Sequence, residues 1–563
     1  MYMKQLLISL LFFAFLLSFR TVSQAQNEPF EMRQLACGLS QPWEIKFGPD
    51  GFLWVTEAHN YQITRVDPVT GDAEMLIDLS NKKNFPNFNE AETWPQGGLQ
   101  GFAFHPDFEN NPYFYLSYVY YFDECRPDTQ GCYFKTKIVR YNYDMQNRVL
   151  SNEMVIVDTI PGSTDHNGGR LVVGPPGADT QFLFYGVGEM GAGQLSNAAR
   201  PHHGQFVDYY EGKILRFNLG PDSDTSAYAR WIPDDNPFNT NFEQNAVWSL
   251  GHRNPQGLVF GTDGKLYEAE HGPYSDDEIN LIKPGYNYGF PLVMGYTDGN
   301  YDGSRAGDGS TMPDVPSEAA NRAEIEASFP YSEPLISLFP ATQSEVSTFY
   351  TNDLNNTPPY DHYYLQYATS APSGMDYYSS DAIPGWKNSL LVANLKLANV
   401  YRFKLSDNGN VLVSDTIAYF QGLGRFRDIA ISPDGTKIYV SADTVGAIKG
   451  APGQAVQPPN KGCILEFSYV TSSTSQPTSA VDVKVFPNPA SAGITKLLID
   501  LDDYSDVSID LYNGVGLKLS TLMPLQQTRN LNQTIDLRQY PPGNYFLKIR
   551  VNGEEIVKKV MVF

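Results

Sequence analysis

FGPDGFLWVTE (Phe47–Glu57), FGTDGKLYEAE (Phe260–Glu270) and ISPDGTKIYVSAD (Ile431–Asp443) repeat one arrangement at wide intervals: a tight polar turn, then a short strand with alternating apolar residues. Each turn residue has a task. Pro fixes its own φ, Asp hydrogen-bonds the backbone two residues on, and Gly accepts a positive φ. Looser copies are FHPDFENNPYFYLSY (Phe104–Tyr118) and VGPPGADTQFLFYGVGE (Val173–Glu189), and SLLVANLK (Ser389–Lys396) keeps the strand without the turn. Repeats made only of strands cannot bury their own faces, so they must stack on copies of themselves, as four-stranded blades do in a propeller. Six copies over residues 27–470 give about 74 residues each, against ~40–45 for a minimal blade. The fold class expected is therefore all-β: a six-bladed β-propeller with long inserted loops, followed by a small β-sandwich. The repeat count alone leaves five or seven blades open.

The rest of the chain frames this unit. Residues 1–25 read as a signal peptide: Lys4, an apolar run from Leu6 to Phe19, and small residues at Ser23 and Ala25. No second long apolar run follows, so no membrane span is expected. Residues 471–480, TSSTSQPTSA, form a polar linker, and residues 481–563 are a separate β unit with strands such as VSIDLY (Val507–Tyr512). The chain has 563 residues and a formal net charge of -23. That charge argues against a nucleic-acid partner, which needs a basic surface. The four cysteines suit an oxidising compartment. Cys125 and Cys132 are close enough for a local bridge. Cys37 and Cys463 would become neighbours if the repeats close into a ring. Buried free thiols remain the alternative.

Matching positions of a ring of repeats converge on one face. The polar residues just beyond the repeat strands are Glu189, His271-Gly272-Pro273, Lys396 and Asp443, a candidate site. Asp165-His166 offers an imidazole beside a carboxylate, which suits a general base. Arg253, in LGHRNPQGL, suits a developing anion. Arg425 and Arg427 project on one side of an extended segment and, with Lys396, could face one polyanion. HGPYSDDEINLIKPGYNYG (His271–Gly289) is rich in oxygen donors of the calcium type, without EF-hand spacing. Each feature alone has a plain structural explanation: a bonded histidine, a local ion pair, a solvated acidic loop.

Together, QGGLQGFAFHPDF (Gln96–Phe108), DHNGGRLVVG, LGHRNPQGL, GPYSDDEINLI and RFRDIAISPDG resemble the soluble quinoprotein glucose and aldose sugar dehydrogenases. The resemblance implies a six-bladed propeller that oxidises aldoses at C1 to lactones, with hydride passing to calcium-bound pyrroloquinoline quinone (PQQ). It implies His166 as catalytic base, Asp165 as its orienting partner and Arg253 beside the reactive quinone oxygens. Cofactor contacts would be Gln96, Asn254, Thr369, Lys396, Arg425 and Arg427. The sugar side would be Glu189, Gln194, Leu195 and Tyr367. Gly272 and Pro273 resemble the ligands of the cofactor calcium. Asp277, Glu278, Tyr288 and Asp298, with the carbonyls of Met294 and Tyr296, resemble structural calcium ligands. A homodimer is also implied. Two residues depart from the glucose dehydrogenase pattern: Glu189 stands where Asp is usual and Tyr367 where Trp is usual. Asn300 to Thr357 does not align.

VFPNPA (Val485–Ala490), DLRQYPPGNYFLKI (Asp536–Ile549) and the terminal KKVMVF resemble the C-terminal sorting domain of the type IX secretion system. That implies the type IX machinery as a partner and a secreted or cell-surface destination, reached through the periplasm. Two other functions stay open: a secreted sugar-binding propeller without turnover, and a calcium-dependent propeller lactonase. The triple cation set Lys396, Arg425 and Arg427 weighs against the lactonase.

Overall fold

Every quoted repeat with a turn is the same piece of structure, the hairpin joining the first two strands of a sheet, and Ser389–Lys396 begins with the second strand of another. Pro42–Phe47 pairs antiparallel with Leu53–Glu57, Pro255–Phe260 with Leu266–Glu270, and Phe426–Ile431 with Lys437–Ala442. The turn chemistry is as the residues require. Gly51, Gly264 and Gly435 have φ of 78°, 80° and 75°. Asp50, Asp263 and Asp434 each accept the backbone N–H two residues ahead.

The computed structural model describes residues 28–84, 94–413, 416–470, 482–491, 493–513, 518–540, 543–552 and 554–562, with the short strand Gln24–Ala25. The expected linker, and the expected signal peptide apart from Gln24–Ala25, lie outside these residues. The chain divides into two units, Met1–Val470 and Thr471–Phe563.

Among the described residues the first unit holds, beside a two-stranded ribbon of Ile448–Lys449 with Ala455–Val456, six antiparallel four-stranded sheets, one of them extended by Gln24–Ala25. Their first strands are Pro42–Phe47, Leu99–Phe104, Leu171–Gly174, Pro255–Phe260, Pro372–Tyr378 and Phe426–Ile431. Each touches the next, and the last touches the first. The second strands Leu53–Glu57, Leu266–Glu270 and Ser389–Asn394 are buried at every residue, because each sheet has a neighbour on both faces. Apolar side chains fill the spaces between sheets, as Tyr378, Trp386, Leu391, Phe426 and Leu465 do between the last two. The last sheet takes its outer strand, Phe30–Ala36, from the start of the chain, paired antiparallel with Ile464–Tyr469. Cys37 and Cys463, immediately beside those strands, form a disulfide that ties the two ends of the cycle together. Cys125–Cys132 is a second, local bridge across a hairpin.

Two α-helices occur among the described residues: Glu318–Glu326, between the third and fourth strands of the fourth sheet, and Gln343–Leu354, between the fourth and fifth sheets. Ser317 caps the first, and a Thr342–Glu345 capping box starts the second. No helix among the described residues is long and apolar enough to cross a membrane. The second unit has five strands in the order Asp482–Ser491, Glu554–Val562, Gly543–Val551, Ile494–Asn513, Lys518–Asp536, with a further pairing of the first to Ile494–Asn513. Val507, Ile509 and Leu511 alternate into its core opposite Val551, Ile549 and Leu547.

Candidate active site

An antiparallel hairpin brings the start of its first strand beside the end of its second. Register shows it directly: Pro42 faces Glu57, Pro255 faces Glu270, Pro372 faces Asn394 and Phe426 faces Ala442. Residues before first strands (Gln96, His166, Arg253, Thr369, Arg425) and after second strands (Glu189, Gly272, Lys396, Asp443) therefore gather at one end of the cycle. A cavity of about 500 Å³ lies there. Its wall includes Gln96, Asp165, His166, Gln194, Leu195, Arg253, Gly272, Pro273, Asp277, Tyr367, Thr369, Lys396, Arg425 and Arg427. Glu189 and Asn254 sit behind that wall, with 1% and 0% of their surface exposed.

His166 holds a positive φ of 50°, a conformation rare for a residue with a Cβ. Close backbone packing keeps it there: a Cβ on Gly188 would collide with the His166 carbonyl, and that carbonyl accepts the Met190 N–H. Asn254 braces the same loop by accepting the Gly168 N–H at 3.1 Å. The ring's Nδ1 meets Glu189 Oε1 at 2.6 Å, while Asp165 Oδ2 lies 3.6 Å from Nε2. The carboxylate on Nδ1 is thus Glu189, expected on the sugar side, and not the chain neighbour Asp165. Asp165 turns away because its Oδ1 accepts the His166 N–H and the Gln96 amide. With Glu189 accepting from Nδ1–H, Nε2 keeps its lone pair for the cavity.

Arg253 stretches between Gln194 Oε1 at 2.6 Å and the His271 carbonyl at 3.2 Å, and its Nε has no partner. The three expected cations line the same cavity. Lys396 donates to the Tyr367 carbonyl and to Thr369 Oγ1. Arg427 pairs with Asp443 at 2.5 Å and donates to Gln256. Arg425 Nε lies 3.9 Å from Asp443 and makes no hydrogen bond, while Nη1 donates to the Ala447 carbonyl. Burial pulls Lys396 down to about 7 and Arg425 down to about 10. Desolvated cations short of anions suit a ligand carrying several carboxylates.

The expected calcium residues fall into two groups. Gly272, Pro273 and Asp277 belong to the cavity. Asp277 accepts the Gly272 N–H with one oxygen and Ser370 and Ala371 with the other, fastening the Gly272–Pro273 loop to the Thr369 segment. A side chain on Gly272 would strike the Ser275 and Asp276 carbonyls. Glu278, Tyr288, Met294, Tyr296 and Asp298 lie away from the cavity wall. There Glu278 accepts from Gly295, and the Tyr288 hydroxyl is committed to Leu281 and Lys283, which leaves its carbonyl as the available donor. Asp298 accepts from Asn300. Burial raises Asp276 to about 7 and Glu318 to about 8, and also raises Asp298. This oxygen-rich, positively undercompensated region fits a hard divalent cation.

Gln256, Tyr274, Asp308, Asp353 and Tyr364 also stand on the cavity wall, beyond the residues expected from the sequence. Gln256 follows Arg253 by three residues, at alternate spacing from Asn254 on the incoming strand, and that was its available signal. Asp353 bonds the Tyr367 hydroxyl at 2.5 Å.

The fold and the cavity have counterparts. A family model described as Glucose / Sorbosone dehydrogenase matches residues 39–323 and 342–449. One described as Secretion system C-terminal sorting domain matches 484–563. Quinoprotein glucose dehydrogenase B of Acinetobacter calcoaceticus is 34% identical over 468 residues, 79% of this chain and 92% of that protein. Aldose sugar dehydrogenase YliI of Escherichia coli is 29% identical over 410 residues, 72% of this chain and 88% of its own. The PQQ-bound aldose sugar dehydrogenase of Streptomyces coelicolor shares the fold with a TM-score of 0.50 at 24% identity, over 79% of this chain and 99% of that one. The apo-form enzyme of Escherichia coli does so at 0.52 and 24%, over 78% and 100%. The fold is thus shared with propeller-type sugar dehydrogenases. The chain belongs to the glucose/sorbosone dehydrogenase family and carries a secretion-system sorting domain at its C-terminus. Most of Asn300–Thr357, which the residue reading set apart, lies within the family match; only 324–341 falls between the matched segments.

Proposed function

We propose that this protein is an exported dehydrogenase that oxidises aldoses at C1 to lactones, using PQQ and calcium. The observation that carries the reading is the cavity itself. His166 backed by Glu189, an anion-free Arg253, the buried cations Lys396 and Arg427 and the half-buried Arg425 line it together, with Asp443 and Asp277 as the carboxylates beside those three cations. We read the six sheets, whose first strands touch in a closed cycle, as the blades of a six-bladed propeller.

Lys396, Arg425, Arg427 and Thr369 would hold the cofactor carboxylates, and Gly272 and Pro273 would offer carbonyls to its calcium. When bound, PQQ supplies a two-electron acceptor. His166 Nε2 takes the proton from the sugar's C1 hydroxyl as the C1 hydrogen departs with its electron pair. Glu189 stabilises the resulting imidazolium through Nδ1. Arg253 would present a fixed positive charge to the bound acceptor, and it needs little reorganisation because Gln194 and His271 already hold it. Gln96 and Asp165 fix the His166 loop at the sugar side, and the exposed Leu195 lies on the cavity wall. The second unit resembles a type IX sorting domain and would direct export to the medium or the cell surface. A homodimer belongs to the same reading and is checked by light scattering.

The test is reconstitution. Purified apoprotein given PQQ and calcium should reduce an artificial electron-accepting dye with a panel of aldoses. Quinone uptake with no dye reduction on any aldose would favour a sugar-binding protein, and lactone hydrolysis without quinone would favour a hydrolase.

A further inference from the structure

Away from the cavity wall, four polar side chains form a two-by-two array in the fourth sheet. Glu268 and Glu270 alternate on Leu266–Glu270, and Glu278 and Asn280 alternate on Asp277–Ile282. The register sets Glu268 opposite Asn280 and Glu270 opposite Glu278, so all four leave the same face. His252 reaches that face from the loop before Pro255. Glu268, Asn280 and His252 have no exposed surface, and Glu270 and Glu278 show 3% and 7%.

The hydrogen bonds here do not balance. Asn280 Nδ2 lies 3.0 Å from Glu268, 3.3 Å from Glu270 and 2.9 Å from Glu278, yet an amide has two hydrogens for those three oxygens. Glu268 Oε1 and Asn280 Oδ1 have no partner at all. Among the ion pairs of the described residues these carboxylates meet no Lys or Arg, only His252, whose Nδ1 is 3.4 Å from Glu270 Oε1. Glu278 is among the residues that resemble structural calcium ligands, but Glu268 and Glu270 are two further buried carboxylates with no Lys or Arg beside them, and they carry a large desolvation cost.

We propose that His252, Glu268 and Glu270 bind a divalent transition-metal ion of the zinc or manganese type, distinct from any calcium of the cofactor cavity. Donor atoms of the three lie within 4.8 Å of one another. A tetrahedral ion with bonds of about 2.0–2.1 Å holds its ligands about 3.4 Å apart. The His252–Glu270 separation has that value, and it is long for a charge-assisted hydrogen bond. Ser249 Oγ lies 2.8 Å from His252 Nε2 and fixes the ring's other nitrogen, as a metal-ligating imidazole requires. The imidazole in the donor set selects against calcium, which prefers oxygen alone. Turning the Asn280 amide over would bring Oδ1 in as a further ligand. The other oxygen of Glu270 accepts the Arg253 N–H at 2.6 Å, so the ion would anchor the backbone of the cavity's arginine.

Two measurements test this on the full chain loaded with PQQ and calcium. Crystals exposed to Zn²⁺ or Mn²⁺ should show an anomalous peak, present only above that metal's edge, between His252 Nδ1 and the carboxylates of Glu268 and Glu270. In solution, elemental analysis after gel filtration should find one more equivalent of that metal in the wild type than in Glu268→Gln, with calcium unchanged. No peak at this position, a peak from calcium only, or equal metal content in the two proteins would overturn the proposal. If Glu268→Gln does not fold, diffraction from the wild type decides alone.

Discussion

The two walls of the cavity are built by different means. One consists of residues at the ends of paired strands: His166, Arg253, Thr369, Lys396, Arg425 and Arg427. The other comes from the connections on either side of the fourth sheet's last strand, Ile336–Leu338, where Ala306, Gly307 and Asp308 stand on irregular backbone before it and Asp353 at a helix end after it. Strand ends are held by ladders whose register cannot slip without turning every side chain over. Loop walls have no such constraint and accept change. On the proposed reading the chemistry would sit on the rigid wall, and the means of choosing among substrates on the variable one.

Breaking the rigid wall should have the largest effects. His166→Ala is expected to lower the turnover number about 10³-fold, within the range of lost general-base catalysis, while PQQ titration shows unchanged binding. Retained dye reduction would remove His166 from the mechanism. Glu189→Gln should come next, with turnover falling about 10²-fold, because the amide can present a donor to Nδ1 and turn the lone pair away from the cavity. Asp165→Asn should cost clearly less. The reverse order would restore Asp165 as the orienting group.

The cation cluster makes a smaller prediction, with a sign. Burial holds Lys396 near 7 in the apoprotein. An anion favours the charged amine, so above that pH binding must carry a proton in. PQQ affinity should therefore be level below pH 7 and fall above it, by up to about tenfold per pH unit for one proton. Lys396→Met should weaken binding about 10- to 100-fold at pH 6, the worth of a charged hydrogen bond, and flatten the slope. Arg425, held near 10, stays charged throughout this range. A wild type with the same affinity at pH 6 and pH 9 would show that Lys396 is not the titrating contact.

The same division decides what could be read from the residues alone. The hairpin turns set the period of the fold, so residues flanking each repeat could be assigned to one end before any coordinates. The partner of His166 could not. Adjacency in the chain favours Asp165, but the left-handed backbone at His166 swings the ring toward Glu189, 23 residues on. The sheet array of Glu268, Glu270, Glu278 and Asn280 is visible in YEAE and DDEIN only once register pairs the two strands. Asp308 and Asp353 carried no signal, since nothing in their spacing ties them to the cavity.

The variable wall gives the smallest expected effect and the most specific one. Tyr367 stands where the resembling glucose dehydrogenases carry Trp, and its hydroxyl bonds Asp353 while its ring packs edge-on against Tyr274, 5.2 Å between centroids. The pair replaces part of an apolar surface with a carboxylate that can accept a sugar hydroxyl. Tyr367→Phe removes one hydrogen bond, frees Asp353 and leaves the ring, so the change should be about 3- to 10-fold in KM. It should differ among aldoses according to the hydroxyls they present to that side, and the turnover number should hold because no group on the rigid wall moves. Equal shifts for every sugar, or a loss in turnover alone, would mean that the two walls do not divide the work between them.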